Sequence, residues 1–478
     1  MLRGVIILFL PQNAQNSILR DLRIKRMADE VRKTALYILD TLNKGHYTLD
    51  RLLEDVFREK TLFSKKDRAL LQALVYGVLR WRQRLDWIID YFSKTRLNKI
   101  DPKVLNILRL GLFQIIYLDR IPVSAAANTS VEMTKAVAGP WVVRYVNGLL
   151  RNTVREYRHV TFPDVDKDPV KALAIKKSFP KWLIKRWLDR FGLKETGLLC
   201  DAINTIPPIT VRCNTLKTNR EKLVKALGGY AEKIEITKYA PDGTFFFNPK
   251  ISIPKIEAFE EGLFQVQDEA AQLVTLLLNP QPGETILDAC SGLGGKTGHI
   301  AQIMKNSGKL VAMDKDENKL MQLGSEMHRL GVSIVTICIH DLSNPLNREA
   351  FGTFDRILLD APCSGLGVLR RNPDTKWRTS QQNLAYCQKR QFLFLDNLSH
   401  LVKPTGILVY AVCSMEPEEN ESVIKVFLNK HDQFAIEKKP SGLPFDACSL
   451  VTGNGYLKTF PHLNNMDGFF SVCMKRKK

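Results

Sequence analysis

Apolar residues recur at helical spacing over the first third of the chain, from about residue 24 to residue 158. Val31, Ala35, Ile38 and Leu42 form the first apolar face, at the three- and four-residue intervals of an amphipathic helix. Short polar breaks separate the later apolar runs, which cover Leu70 to Val78, Leu85 to Tyr91, Val104 to Leu118 and Val142 to Leu150. This pattern predicts an all-α bundle over residues 24–158.

The stretch from residue 159 to residue 261 is less regular. Ser178 to Phe191 has the pattern of a basic amphipathic helix, and Ile209 to Arg212 alternates like a strand. Turns rich in Pro and Gly follow as far as Gly262. We therefore expect a small α+β connector domain over residues 159–261.

From residue 262 onward, short apolar runs alternate with helical stretches such as Glu317 to Leu330. The runs predicted as strands are Thr285 to Leu287, Lys309 to Met313, Ile334 to Ile339, Arg356 to Leu359 and Gly406 to Val412. Such alternation is typical of a doubly wound, mostly parallel sheet. A Rossmann-like α/β domain is therefore predicted over residues 262–478, with its ligands beyond the carboxyl ends of the strands.

The composition is that of a globular protein and excludes a mostly disordered or fibrous chain, since 45% of the 478 residues are apolar and 25% are charged. The 70 Lys and Arg outnumber the 50 Asp and Glu, which gives a formal charge of +20. A surplus of this size points to a polyanionic partner such as nucleic acid, although basic solvated faces would also account for it.

The nine cysteines contain no C-x-x-C pair, which argues against a zinc ribbon, and we predict no metal site. Their odd number in a chain of this size favours a reducing, cytoplasmic location. No apolar run is long enough to predict a membrane span. The start, with Gly4 to Leu10 reading GVIILFL, resembles a shortened signal peptide, but we interpret residues 1–23 as a disordered or mis-assigned start.

A glycine-rich turn follows the first of these strands and opens a helix. It runs from Asp288 to Lys296 and comprises Cys290, Ser291, Gly292, Leu293, Gly294, Gly295 and Lys296. Glycines allow the backbone to turn sharply and approach a ligand closely, and Asp314, 19 residues after Gly295, has the spacing of a carboxylate that binds ribose hydroxyls. A phosphate-binding P-loop would need glycine where Cys290 stands. An adenosyl ligand is therefore predicted, with a purely structural turn as the alternative.

Two further cysteines stand directly after predicted strands. Cys363 lies in a Pro- and Gly-containing loop that starts at Asp360, and Cys413 precedes a helix whose start carries Pro417. A helix N-terminus would favour the thiolate of Cys413. The pair could be two buried structural thiols, but two cysteines at neighbouring strand ends beside an adenosyl site also predict one reactive cleft.

These motifs resemble the Fmu/Sun (nucleolar-protein-type) family of S-adenosylmethionine-dependent RNA cytosine-5 methyltransferases. The most specific matches are Asp360 to Asp374 (DAPCSGLGVLRRNPD) and Cys413 to Asn420 (CSMEPEEN), and Arg120 to Pro122 and Asn147 to Arg151 support a helical part similar to the antitermination factor NusB. The resemblance covers residues 24–478, and the order of domains is similar to that of the bacterial member that modifies 16S rRNA.

Three positions depart from the family's usual residues. Leu293 stands for a Pro and Gly292 for the second Ala of the glycine-rich loop, and Val412 replaces the Thr that usually precedes the second catalytic cysteine. These changes affect the lining of the expected site and leave both cysteines in place.

The resemblance implies a methyltransferase that modifies C5 of a cytosine through a covalent bond between cysteine and C6. It assigns Cys413 as the nucleophile, Cys363 as the residue that assists product release, and Asp360 as the residue that binds the cytosine base. It assigns the cofactor, S-adenosylmethionine, to the residues Cys290 to Lys296, Asp314, Asp341 and Asp360. The implied partner is 16S rRNA, free or in an early small-subunit assembly, with no membrane or metal.

Other functions stay open on the sequence alone. The substrate could be a tRNA or 23S rRNA, or the chain could be a catalytically weak RNA-binding factor in ribosome assembly. A DNA cytosine-5 methyltransferase is a further alternative, and that family uses a single Pro-Cys nucleophile in the loop that corresponds to Cys363. The second cysteine, Cys413, and the NusB-like part favour RNA.

Overall fold

The computed structural model of the chain describes residues 29–45 and 47–478. The predicted disordered or mis-assigned start, residues 1–23, lies outside these residues. The chain divides into two compact units, the first made of residues up to Cys200 together with Asn372–Arg378, and the second of Asp201–Arg371 and Thr379–Lys478. None of the helices in the described ranges combines the length and apolar character needed to cross a membrane.

The helices are numbered here in chain order over the described ranges. The first ten are α1 (29–42), α2 (Leu49–Glu59), α3 (Lys65–Phe92), α4 (Pro102–Tyr117), α5 (Val123–Lys135), α6 (Pro140–Glu156), α7 (Pro169–Lys176), α8 (Lys181–Asn204), α9 (Arg220–Leu227) and α10 (Glu257–Glu260). The others are α11 (Glu269–Leu278), α12 (Gly295–Ile303), α13 (Glu317–Leu330), α14 (Arg348–Phe351), α15 (Thr375–Arg378), α16 (Gln381–Ser399), α17 (Glu421–Lys430), α18 (Phe445–Cys448) and α19 (Pro461–Asn464).

The first unit is helical, as its apolar periodicity predicts. The face formed by Val31, Ala35, Ile38 and Leu42 is buried in its core. Local capping defines where its helices begin: Ser64 and Asp67 form a capping box at the start of α3, which satisfies two otherwise unpaired backbone N–H groups. Asp101 caps α4 in the same region of the unit.

The segment Asn372–Arg378, which follows the Cys363 motif in the sequence, is built into this helical unit. The indole N–H of Trp377 donates to the carbonyl oxygen of Leu79 at 2.7 Å. The Lys376 ammonium donates to the carbonyls of Arg80 and Ser178, each at 3.2 Å, and burial lowers its pKa. The helical unit therefore extends to Cys200 and includes α15, whereas the sequence places the end of the bundle at residue 158.

The second unit contains a small antiparallel sheet and a large mixed sheet. The small sheet has the order β2-β3-β1-β4. Its strands are β1 (Ile209–Cys213), β2 (Lys233–Ile236), β3 (Gly243–Phe247) and β4 (Phe264–Val266). The predicted strand corresponds to β1, and β4 pairs with it from beyond residue 261, because a three-residue strand leaves too little alternation to be recognised.

The large sheet confirms the predicted doubly wound fold. Its strands are β5 (Thr285–Asp288), β6 (Lys309–Asp314), β7 (Val335–Ile339), β8 (Phe354–Asp360), β9 (Val402–Val412), β10 (Phe434–Ile436), β11 (Tyr456–Lys458) and β12 (Phe470–Arg476). The order is β10-β12-β9-β8-β5-β6-β7, with β11 paired to β12. Strands β5 to β9 are parallel to their neighbours in this series, and β12 adds antiparallel pairing at β9.

The order of the strands reverses between β5 and β8, which are hydrogen-bonded neighbours. A crevice at such a reversal is the usual ligand site of an open α/β sheet. Asp288, Asp314 and Asp360 are the last residues of β5, β6 and β8. The fold thus brings the motifs that the sequence singles out to one edge of the sheet.

We predict that Trp377→Phe lowers the stability of the helical unit, since the Leu79 carbonyl loses its indole partner. The expected loss is about 1–3 kcal/mol, the cost of an unpaired buried polar group. Thermal unfolding of the full chain measures it. Trp141→Phe is the matched control, because Trp141 is 64% exposed. Equal melting temperatures for the two variants would contradict the prediction.

Candidate active site

The glycine-rich loop between β5 and α12 is held by hydrogen bonds to the end of β6. The Ser291 N–H donates to the Met313 carbonyl at 2.9 Å, and the Gly292 N–H donates to Asp314 Oδ2 at 2.9 Å. Gly292 and Gly294 have φ angles of +54° and +85°, which other residues rarely adopt. The loop therefore depends on glycine at these two positions and on the Asp314 carboxylate.

Asp288 lies beneath this loop and is 1% exposed. Its Oδ2 accepts from the Thr297 hydroxyl at 2.7 Å, and burial raises its pKa to about 7. Its Oδ1 is buried and has no hydrogen-bond partner among the described residues. An unsatisfied buried oxygen at the base of a glycine-rich loop fits a site whose remaining donor comes from a ligand or water.

Arg212, from β1 of the small sheet, supports the same loop and was missed as a site residue. It is 1% exposed, and its guanidinium donates to the Gly295 carbonyl at 2.9 Å and to Gln265 Oε1 at 2.8 Å. The sequence did give one indication of this role, an arginine at an inward-facing position of an alternating strand. A buried guanidinium needs hydrogen-bond acceptors inside the protein.

Lys296 and Asp360 form a half-buried ion pair at the centre of the edge, with Nζ and Oδ2 separated by 2.5 Å. Burial alone would lower the pKa of the Lys296 ammonium, but the charge and hydrogen bond of Asp360 outweigh it and the pKa is raised. An electrostatic interaction with Cys413 adds to this effect. Lys296 thus provides a fixed positive charge next to the cysteines.

The two cysteines singled out in the sequence meet at the ends of β8 and β9. Their Sγ atoms are 3.1 Å apart. The hydrogen bond with Cys413, together with burial, raises the pKa of the Cys363 thiol well above its usual value. The raised pKa favours the protonated Cys363 thiol, and either sulfur can be the donor in this contact.

Glu419 ties the two cysteine loops together and was not singled out from the sequence. It is fully buried. Its carboxylate accepts from the Ser364 N–H at 2.7 Å, from the Ser364 hydroxyl at 2.5 Å and from the Ser414 hydroxyl at 2.5 Å. Each serine follows one of the cysteines in the sequence, so this carboxylate fixes both loops at once. The repeated Cys-Ser dipeptide was the only sequence indication of this arrangement.

The expectation that Cys413 lies at a helix N-terminus is wrong. Residues 417–420, including Pro417, form a turn, and the helix α17 begins at Glu421. The electrostatic influence of a helix end is confined to its first turn, which lies too far along the chain from Cys413. The positive charge near its sulfur comes from Lys296 instead.

Asp341 follows β7 and lies at the exposed margin of the edge. The Ser343 N–H donates to its Oδ1 at 2.9 Å, which lowers the pKa of the carboxyl. Lys315 Nζ is 3.7 Å from its Oδ2. Over the described ranges, no group of three or more His, Cys, Asp or Glu side chains is arranged to hold a metal ion.

The doubly wound sheet and the glycine-rich loop with acidic residues at successive strand ends define the class of this protein: it is an S-adenosylmethionine-dependent methyltransferase. Residues 275–475 match the sequence profile of the 16S rRNA methyltransferase RsmB/F family. Residues 29–155 match the NusB family, and residues 179–250 match the ferredoxin-like domain of RsmF/B-like methyltransferases.

Similar proteins cover nearly the whole chain. The probable ribosomal RNA small subunit methyltransferase B of Synechocystis sp. is 36% identical over 93% of this chain and 99% of its own length, and that of Bacillus subtilis is 36% identical over 94% and 99%. The crystal structure of PH0851 has a TM-score of 0.77 at 27% identity, covering 94% of this chain and 99% of that one. The chain belongs to the RsmB/F family of rRNA methyltransferases, which confirms the resemblance found in its motifs.

We predict that Glu419→Gln reduces the methyl-transfer rate by roughly 10- to 100-fold, because a displacement of about 1 Å in a reacting group has an effect of this size. The glutamine amide would place an N–H donor where the Glu419 carboxylate accepts hydrogen bonds from the two serine hydroxyls. Single-turnover kinetics at saturating substrate would measure the rate, and circular dichroism would check the fold. Glu418→Gln, in the same loop, is the control. A Glu419→Gln rate within twofold of the wild type would show that this carboxylate does not position the cysteines.

Proposed function

We propose that this protein transfers a methyl group from S-adenosylmethionine to C5 of a cytosine in 16S rRNA, free or in an early small-subunit assembly, through a covalent intermediate on Cys413. The observation that carries the proposal is the approach of Cys363 and Cys413 to 3.1 Å beside the Lys296–Asp360 ion pair. The similar proteins of Synechocystis and Bacillus are named as small-subunit rRNA methyltransferases, which supports the choice of RNA.

The proposed division of labour follows the domains predicted from the sequence. Residues 24–158 would form the NusB-like RNA-binding domain, residues 159–261 the connector and residues 262–478 the methyltransferase domain. The matches at 29–155, 179–250 and 275–475 support three such regions.

The cofactor site is proposed to comprise Cys290 to Lys296, Asp314, Asp341 and Asp360. Both Asp314 oxygens accept backbone hydrogen bonds, from Gly292 and Asp316, yet a carboxylate has about four acceptor positions. It can therefore also accept from a ribose hydroxyl. Bound S-adenosylmethionine would supply an electrophilic methyl group at this edge.

Cytosine C5 is a poor nucleophile, and the residues at the strand ends address this difficulty. The Cys413 thiolate forms a bond to C6, and the electron pair displaced from the C5–C6 double bond makes C5 nucleophilic. Asp360 accepts from the exocyclic amine of the base, and the neighbouring Lys296 offers a proton where negative charge develops at N3. Transfer to C5 then leaves both the methyl group and the original proton on that carbon.

Product release requires the covalent bond between Cys413 and C6 to be broken. A base takes the C5 proton, the electron pair of that bond restores the C5–C6 double bond, and the sulfur–C6 bond breaks with its electron pair returning to Cys413. The Cys363 thiol lies next to the departing sulfur and keeps its own proton. It can donate a hydrogen bond to the departing thiolate, which is how Cys363 would assist release.

We predict opposite failures for the two cysteine variants. Cys413→Ala should abolish both methylation and the covalent complex, because no bond to C6 can form. Cys363→Ala should accumulate a covalent protein–RNA complex that contains methylated cytosine, because release is impaired. A denaturing gel with radiolabelled methyl groups would resolve the complex as a slow band.

The control is the double variant Cys363→Ala/Cys413→Ala, which should not give the slow band. A stable complex from Cys413→Ala with none from Cys363→Ala would reverse the two roles. Methyl transfer to tRNA, 23S rRNA or duplex DNA but not to 16S rRNA would contradict the proposed substrate and leave the cysteine assignment standing.

We also predict that Asp314→Asn weakens S-adenosylmethionine binding by roughly 10- to 100-fold, the effect of losing one hydrogen bond to a charged group. Isothermal titration calorimetry would measure the affinity. Glu317→Gln is the control, because Glu317 is a nearby exposed carboxylate at the start of α13. An unchanged affinity in Asp314→Asn would place the ribose elsewhere.

A further inference from the structure

We infer that one exposed side of helix α6 is an RNA-contacting surface that combines phosphate binding with base stacking. This surface, called the α6 face below, is formed by the residues Trp141, Arg144, Gly148, Arg151 and Arg155. The inference rests on the proposed function, because it takes the substrate to be RNA. It assigns to that RNA a second contact region, which lies within the helical unit.

The spacing along the sequence places these residues together. They follow one another at intervals of three, four, three and four, so they share one side of the helix. All five are exposed. The opposite side of α6 carries the buried residues Val146, Leu149, Leu150 and Thr153. The orientation of α6 is thus fixed by its apolar contacts with the core, and the α6 face points to solvent.

The charge of the α6 face is positive and not neutralised. None of its three arginines forms an ion pair with a carboxylate over the residues that the structure describes, and Arg155 donates only to the amide oxygen of Asn152, at 2.6 Å. The carboxylate of the nearby Glu156 is paired with His159. Unpaired guanidinium groups in a row suit phosphate groups, which they can bind in a bidentate manner.

Trp141 adds a different kind of contact. Its ring is 64% exposed and lies nearly parallel to that of Tyr145, with centroids 6.0 Å apart and an interplanar angle of 6°. The Tyr145 hydroxyl is held by the Ser93 hydroxyl at 2.8 Å. The tryptophan is therefore supported on one side and open on the other, as in the aromatic platforms on which unpaired bases stack.

A groove between α5 and α6 continues the surface. Its volume is about 610 Å³, and Ser124, Asn128, Asn147 and Arg151 are among the residues that line it. The groove lies at the N-terminus of α5. Pro122 is the N-cap residue of this helix, and no side chain caps its backbone N–H groups. Hydroxyl, amide and guanidinium donors next to the positive end of a helix provide a second phosphate position beside the arginines.

RNA accounts for this combination better than a protein partner does. Trp141 is the one large apolar side chain of the α6 face, and the groove adds only three short aliphatic side chains, those of Val123, Ala127 and Val154. A protein interface of useful size instead has an apolar centre from which charge is depleted. Cationic side chains next to an exposed aromatic ring are the usual components of a surface for single-stranded nucleic acid.

The test uses the full chain with 16S rRNA transcribed in vitro. The double variant Arg144→Gln/Arg151→Gln should flatten the plot of log affinity against log salt, by about 0.7–0.9 for each phosphate that is no longer neutralised. Trp141→Ala should weaken RNA binding by roughly five- to 100-fold and leave the salt slope unchanged. For both variants, KM for RNA should rise while kcat at saturating RNA and the affinity for S-adenosylmethionine stay at the wild-type values.

The matched control is Arg51→Gln/Lys66→Gln, which removes two exposed positive charges from α2 and α3 and should change the slope less than the α6 pair. Unchanged affinity and slope in the α6 variants, or an equal loss in the control, would overturn the inference. Normal RNA binding without methyl transfer by the wild type would instead contradict the proposed function. Because the binding and transfer assays are separate, the two failures can be told apart.

Discussion

The parallel pairing of β8 with β5 and β9 is the constraint on which the site depends. Asp360 is the register partner of Ala411 in β9, and Cys363 and Cys413 follow these residues by three and two positions. Two cysteines 50 residues apart in the sequence are thereby brought to 3.1 Å. Since a shift of two residues in this register would move one strand end by about 6.6 Å along the other, the cysteine contact requires the pairing observed.

Buried charge is the second constraint, because Asp288, Arg212, Lys296 and Glu419 lie at or next to the ends of the strands and have little exposed surface. Taking such groups out of water is costly unless each has a partner. Lys296 has Asp360 and Glu419 has the two serine loops, while Asp288 responds with a pKa raised to about 7. The arrangement has a direct consequence for chemistry, because charges held by fixed hydrogen bonds need no reorganisation as a reaction proceeds.

Much of this architecture could be predicted from the sequence. The five parallel strands were recognisable because each is a short apolar run, although β7 has no buried residue. The two cysteines were recognisable because each follows the end of such a run. The short strands β2, β4, β10 and β11 were not predicted, since three or four residues leave little periodicity. The longer strands β3 and β12 were not predicted either. Glu419 and Arg212 were missed for another reason: the alternating strand and the repeated Cys-Ser dipeptide do not show which side chains these two residues bind. The helix predicted after Cys413 is present but begins at Glu421, because residues 417–420 form a turn.

The proposed division of the chain into a catalytic domain and an RNA-binding domain follows from how little of an RNA a small reacting centre can recognise. The proposed methyl transfer involves one base, and a base pocket by itself carries little information about the surrounding RNA. Selecting one nucleotide in a long RNA requires contacts over a greater distance, and these come from phosphate, sugar and stacking interactions. The α6 face extends over 15 residues from Trp141 to Arg155, about 21 Å along a helix. A rigid helix with its opposite side buried in the core can hold such contacts at fixed spacing, which a flexible basic tail could not.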